Sequence, residues 1–158
     1  MRTIRLSQGF ETMVDDEDYE ELINYNWTVS KSPNTNYALR RIRIGKGKRF
    51  TQSMHALIAK TPKGMVTDHI DGNGLNNCKQ NLRVVTYRQN TQNKHTTKSS
   101  IYPGVYWFKL SESWNSRIQI NHKIKSLGYF NNEIDAYNAY LKALKSIGEV
   151  CIKGIVQA

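Results

Sequence analysis

An acid and a histidine adjoin at Asp68-His69, and a run rich in glycine and asparagine, Ile70-Asp71-Gly72-Asn73-Gly74-Leu75-Asn76-Asn77, follows at once. Downstream come Asn81-Leu82-Arg83-Val84-Val85-Thr86 and then Tyr87-Arg88-Gln89-Asn90. These residue types suit hydrolysis of a phosphodiester. The Asp68 carboxylate and the Asn90 amide oxygen are hard ligands, matched to one divalent Mg2+ or Mn2+ ion rather than to structural zinc. Such an ion stabilises charge on a scissile phosphate and on the departing oxygen. A neutral histidine, with an ordinary pKa of about 6.5, is a natural base for the attacking water.

Those side chains work only if the chain brings them together. Residues 65–70 read as a short strand that ends in the acid and the histidine. Residues 71–77 form a loop in which positive φ is tolerated. Residues 82–85 return as a second strand, and Thr86 is placed to cap a helix starting at Tyr87, with Asn90 on its first turn. A β-hairpin packed on a helix thus gathers Asp68, His69 and Asn90.

The stretch resembles the HNH (ββα-metal) endonucleases of the small phage and homing type. The likeness rests on Asp68-His69 at a strand end, Asn81 twelve residues after His69, and Asn90 twenty-two after Asp68. It implies that Asp68 and Asn90 hold one divalent metal and that His69 is the general base. It further implies that Asn81 braces the loop and orients the histidine. The segment Met54-His55-Ala56-Leu57-Ile58 is similar to the short helix entering the motif in that family. His55 is expected as a packed, hydrogen-bonded structural residue, and His95 and His122 as solvent-facing.

Charge points to the same partner. The 158 residues carry 23 Lys and Arg against 13 Asp and Glu, a formal net charge of +10. Seven acids lie between Glu11 and Glu21, leaving six acids against all 23 bases elsewhere. The acidic stretch reads as a helix over 15–25, capped by Asp15 or Asp16, with Tyr19, Leu22 and Ile23 as its apolar stripe and its acids on a solvated face; a metal site built from it is the lesser alternative. Strands are expected at 27–30 and 37–44, with a glycine-rich turn and a return over 49–52. This basic hairpin offers Arg40, Arg41, Arg43, Lys46, Lys48 and Arg49 to phosphates, and Arg83 and Arg88 join them from the motif itself.

Beyond a polar stretch at 96–103, residues 102–148 resemble an APETALA2/ethylene-response-factor DNA-binding domain. The resemblance rests on Gly104-Val105, Trp114, Ile118, Leu127-Gly128-Tyr129-Phe130, and a helix over 132–147 carrying Ala136-Tyr137 and Ala139-Tyr140. That helix has a broad apolar face including Ile134, Tyr137, Leu141 and Leu144, and Gly148 stands where a C-terminal cap belongs. The likeness implies a three-stranded antiparallel sheet backed by the helix, with the sheet entering the major groove. Alternation assigns Val105, Trp107, Ile118, Ile120 and Leu127 to the core and Tyr106, Phe108, Arg117, Gln119 and Asn121 to the opposite face. Tyr106 and Phe108 replace the guanine-reading arginines of the plant pattern, so the plant target does not carry over. Arg117 and Gln119 remain able to read base edges, with Lys109, Lys123 and Lys125 on phosphates.

Two cysteines exclude a disulfide framework and a four-cysteine zinc site. No secretory segment and no apolar run long enough to span a bilayer is present, so a soluble, cytoplasmic protein, phage-encoded in a bacterial host, is expected. The reading is an α+β protein: a β-hairpin-rich nuclease region over 1–95, a linker at 96–100 and a sheet-plus-helix DNA-binding module over 101–150. The expected activity is metal-dependent cleavage of double-stranded DNA, without membrane association. One base and one metal cut one strand per visit, so a monomer nicks, and cutting both strands needs a homodimer or a second visit. The competing reading is a non-catalytic, sequence-specific DNA-binding regulator. An RNA nuclease fits less well, since a sheet shaped for a wide major groove does not suit A-form RNA.

Overall fold

The computed structural model describes residues 1–92, 99–121 and 123–152. Part of the 96–100 segment, together with His95 and His122, lies outside the described residues. The fold is α+β, with several small antiparallel sheets and four α-helices among the described residues. The chain divides into two compact units, Met1–Asn90 and Thr91–Ala158.

In the first unit, β1 (Arg2–Arg5) pairs antiparallel with β2 (Glu11–Val14). The second of these strands was not expected from sequence, where it falls inside the acidic stretch; its alternation buries Thr12 and Val14 and exposes Glu11 and Met13. Helix α1 covers Asp16–Leu22, shorter than its acidic composition suggests. It buries Leu22 but leaves Ile23 exposed, so the expected stripe ends one residue early. Asp15 holds the N-cap position in extended geometry, yet its side chain makes no capping bond.

Strands β3 (Thr28–Lys31), β4 (Asn36–Gly45) and β5 (Lys48–Ser53) form an antiparallel sheet in that order, and α2 (Met54–Ile58) follows. Ile4, Leu6, Val14, Leu22, Trp27, Val29, Ala38 and Met54 make the core of this unit. Strand β6 (Val66–His69) pairs with β7 (Leu82–Val85), and α3 (Tyr87–Gln92) begins two residues later. Thr86 and Gln89 cap α3 reciprocally: Thr86 Oγ1 accepts from Gln89 N at 3.2 Å, and Gln89 Oε1 accepts from Thr86 N at 2.9 Å.

In the second unit, β8 (Val105–Phe108), β9 (Ser113–Ile120) and β10 (Lys123–Phe130) form a sheet with β9 central, and α4 (Glu133–Ser146) packs on it. Ile118, Tyr140 and Leu144 centre that core. Asn132 caps α4 by accepting from Asp135 N at 2.8 Å. Gly148, at φ +72°, closes it, with Glu149 N donating to Leu144 O at 3.0 Å. Ile134, expected on the apolar face of this helix, is 60 % exposed. Gln92 belongs here too: its Nε2 donates to Tyr140 Oη at 3.4 Å and its Oε1 accepts from Ile152 N at 2.9 Å.

Candidate active site

Asp68 and His69 are the last two residues of β6, paired with Arg83 and Leu82 of β7. Cross-strand partners share a face of the sheet, so this register aims Arg83 at Asp68. Its Nε and Nη2 both donate to Asp68 Oδ2, at 2.9 and 2.7 Å. Asp68 is buried, and the pair keeps its charge compensated where an isolated carboxylate would be costly. Arg83, expected on DNA phosphates, is therefore committed inside the site. His69 is buried as well, and its Nε2 lies 3.2 Å from Asn77 Oδ1. Burial pushes the His69 pKa below its ordinary value; the Asn77 bond and the Asp71 and Asp68 charges only partly oppose that shift.

The loop between the strands is tied down by its own amides. Asn81, at the foot of β7, accepts from Asp71 N at 3.0 Å through Oδ1. Its Nδ2 donates to Asp71 Oδ1 and to Asn76 O, each at 2.9 Å. Asp71 also accepts from Asn73 N at 2.8 Å and from Asn76 Nδ2 at 2.8 Å. Partial burial alone would raise the Asp71 pKa, but the bonds from Asn76, Asn73 and Asn81 outweigh it and hold the carboxyl below its usual range. Asn81 thus acts on the loop. The residue bonded to the histidine is Asn77, which sequence reasoning passed over.

The acidic stretch does more than face solvent. Asp15 Oδ2 accepts from Lys79 N at 2.7 Å, and Lys79 Nζ reaches Glu17 at 2.5 Å and Asp18 at 3.0 Å. Helix α1 therefore holds the end of the loop. Among the described residues no group of three or more His, Cys, Asp or Glu is placed to hold a metal. A cation site here would draw on one carboxylate, Asp68, with the Asn90 amide as its neutral oxygen donor. Asn90 stands on α3, its N–H donating to Thr86 O at 3.0 Å.

One wall of the site is a cluster of rings. His55 lies edge-on to His69 at 5.0 Å, and Tyr37 packs against both at 5.6 and 6.0 Å. Burial first, and His69 second, lower the His55 pKa from 6.5 to about 4. The expectation of a hydrogen-bonded His55 fails at Nδ1, which is buried with no hydrogen-bond partner among the described residues.

The basic hairpin divides by face. Pairing sets Arg41 opposite Thr51 and Arg43 opposite Arg49, while Ile42 faces Phe50. Arg41, Arg43 and Arg49 thus share one side, and Ile44 and Phe50 are exposed at 61 % and 50 %. Lys46 and Lys48 are exposed at the tip. Arg40 is not available in the same way: its guanidinium lies 3.6 Å from the Tyr25 ring centre and its Nε donates to Gln52 Oε1 at 2.8 Å. Arg88 is half-buried on α3.

In the second unit, the register places Tyr106, Phe108, Arg117, Gln119, Ile124 and Tyr129 on the sheet face away from Ile118. Arg117 Nε donates to Asn115 Oδ1, and its guanidinium lies 5.1 Å from the Tyr106 ring centre. Lys123 and Lys125 pair with Ile120 and Ile118, so both start from the other face. Trp107 does share the Ile118 side, but it is 39 % exposed and packs edge-on against Trp114 at 5.1 Å. Lys109 is exposed where β8 ends.

A family model of HNH endonucleases matches residues 60–92, the span that holds β6, the braced loop, β7 and α3. Those residues are similar to an HNH motif. Relatives carry the likeness beyond that motif. Protein 3.8 of Escherichia phage T7 is 36% identical over 78 residues, 48% of this chain and 64% of its own. The "SPbeta prophage-derived putative HNH homing endonuclease YosQ" of Bacillus subtilis (strain 168) is 35% identical over 100 residues, 59% and 57% of the two chains. The "Uncharacterized HNH endonuclease L560" of Acanthamoeba polyphaga mimivirus is 33% identical over 125 residues, 76% of this chain and 63% of that one. The chain thus spans under two thirds of the length of each of these relatives. No solved structure matches. No helix among the described residues is long and apolar enough to cross a membrane.

Proposed function

We propose that this protein is a metal-dependent DNA endonuclease of the phage or homing type that nicks duplex DNA. The observation that carries the reading is the buried Asp68-His69 pair at the end of β6, beside the loop braced by Asn81 and within the span that the HNH endonuclease model matches. Asp68 and Asn90 would hold one Mg2+ or Mn2+ ion, and their hard oxygen donors fit such an ion. When bound, that ion would stabilise negative charge on the phosphate and on the departing oxygen. His69 takes a proton from water as the water oxygen bonds to phosphorus. The P–O3′ bond breaks, leaving a 5′-phosphate, and the departing O3′ is protonated by solvent. Asn81 fixes the loop beneath the base, and Arg83 donates two hydrogen bonds to the buried Asp68 carboxylate.

Arg41, Arg43, Lys46, Lys48 and Arg49 would meet the phosphate backbone and set the duplex on the site. The APETALA2-like second unit would supply sequence preference through its open face, with Arg117 aimed by Asn115. A single base acts on one strand per visit, so a monomer nicks, and cutting both strands needs a homodimer or a second visit.

One observation favours the non-catalytic alternative, a DNA-binding regulator: Arg83 sits on the carboxylate that a metal would need. Conversion of supercoiled plasmid by the full chain decides between the two readings. Open circles formed with Mg2+ or Mn2+, absent with EDTA and absent in His69→Ala, are expected. Binding without cleavage under either metal would overturn the nuclease reading in favour of the regulator.

A further inference from the structure

The Asn77 amide that meets His69 is itself held from outside residues 60–92, by a strand of the N-terminal hairpin. Thr12 and Asn77 are both fully buried, at 1% and 0% exposure. Thr12 Oγ1 donates to Leu75 O at 2.8 Å, Asn77 Nδ2 donates to Thr12 Oγ1 at 2.7 Å, and Asn77 Oδ1 lies 3.2 Å from His69 Nε2. The backbone locks the same contact, with Met13 N donating to Leu75 O at 2.9 Å and Asn77 N donating to Met13 O at 2.8 Å.

The polarity of this chain follows from its far end. A backbone carbonyl can only accept, so the single hydroxyl proton of Thr12 goes to Leu75 O. Thr12 Oγ1 must then accept from Asn77, which puts the amide nitrogen toward Thr12 and the amide oxygen toward His69. An amide oxygen cannot donate, so the proton between Asn77 and His69 belongs to His69 Nε2. In the neutral ring this leaves Nδ1 as the nitrogen with the lone pair.

We infer that Thr12, acting through Asn77, is a positioning residue that fixes His69 in its Nε2–H form and so selects Nδ1 as the nitrogen that takes up the proton from water. The inference rests on the reading of His69 as the general base. It makes β2, which lies outside the matched motif, a working part of the site. The device uses no charge. Thr12→Val keeps shape and β-branching but removes both the donor and the acceptor, and Thr12→Ser restores both.

The test uses full-length protein with 15N-labelled histidine. Long-range 1H–15N correlation reads which ring nitrogen of His69 carries the proton, with His69→Ala providing the assignment. The wild type and Thr12→Ser should show the Nε2–H form, and Thr12→Val and Asn77→Ala a mixture of both forms. Plasmid nicking at saturating DNA should fall roughly 10- to 100-fold in Thr12→Val, the usual range for losing an orienting partner, with DNA affinity unchanged and Thr12→Ser near wild type. A pure Nε2–H signal in both Thr12→Val and Asn77→Ala would overturn the inference, as would equal loss of nicking in Thr12→Val and Thr12→Ser. The NMR arm needs no cleavage. A shift to mixed forms in a protein that never cuts DNA would leave the relay standing and remove the nuclease reading alone.

Discussion

Acidification should destabilise the first unit through His55, and the size of the effect can be worked out. The His55 pKa is about 4 in the folded chain against an ordinary 6.5, so between those values the unfolded chain binds about one proton more. Stability must therefore fall as pH falls through that window, and flatten below pH 4 and above 6.5. At about 1.4 kcal/mol per pKa unit, the full loss is about 3 kcal/mol, of which about 2 kcal/mol is spent by pH 5. That is a large part of the stability of a small domain. His55→Phe keeps a ring beside Tyr37 and His69 but cannot take the proton. Urea unfolding of both proteins at pH 7.5, 5.5 and 4.5, followed on the indole N–H of Trp27, which donates to Leu22 O inside the same core, isolates the difference. His69 titrates in both proteins and largely cancels. The depressed Asp71 loses its contribution only as pH falls through a value below 3.8, outside the window. Wild type should lose about 2–3 kcal/mol more than the variant between pH 7.5 and 4.5. Parallel loss in the two proteins would refute the claim that a buried, neutral His55 sets the acid limit.

Other perturbations reach different parts of the molecule. His69→Ala should abolish metal-dependent nicking and leave the affinity for duplex DNA within about twofold, checked by plasmid conversion and by fluorescence anisotropy. Replacing Arg41, Arg43 and Arg49 together by Gln should flatten the dependence of log K on log salt by about 2–3, roughly one phosphate contact per residue, as read in a salt titration. Gly74→Ala should lower stability by about 1–3 kcal/mol in urea unfolding. An added Cβ there would lie 2.3 Å from Asn36 O and 2.6 Å from the Tyr37 ring, so the loop that carries Asn77 would have to move. Nicking should therefore fall further than the stability loss alone explains, as read in single-turnover rates.

Much of the site is local in the chain, and to that extent legible there. Asp68, His69, Asn81 and Asn90 lie within 23 consecutive residues, and short-range signals describe their setting: a strand that ends in the acid, a glycine- and asparagine-rich loop, and the Thr86 cap of α3. The bracing of the loop by Asn81 likewise spans only 10 residues, to Asp71. The helix over 133–146 was visible because 3.6-residue periodicity needs no partner to be seen. The placement of Ile134 was not, since whether an apolar residue at the edge of a stripe is covered depends on what packs beside it.

What tertiary structure alone decided is who touches the reactive groups. Arg83 looks like any surface arginine in sequence, and only the β6–β7 register turns it onto Asp68. Arg40 sits among the other basic residues of its strand, yet its guanidinium lies over the Tyr25 ring and bonds to Gln52. Thr12 lies 65 residues from Asn77, in an acidic stretch whose composition gives no sign of a strand. The reason is physical: in β2 polar Thr12 is buried and apolar Met13 exposed, so hydropathy does not follow the alternation of faces, and the strand gains its stability from the partner it meets. The residue types fix which chemistry is possible. The pairing of strands distant in sequence fixes which nitrogen of His69 carries the proton.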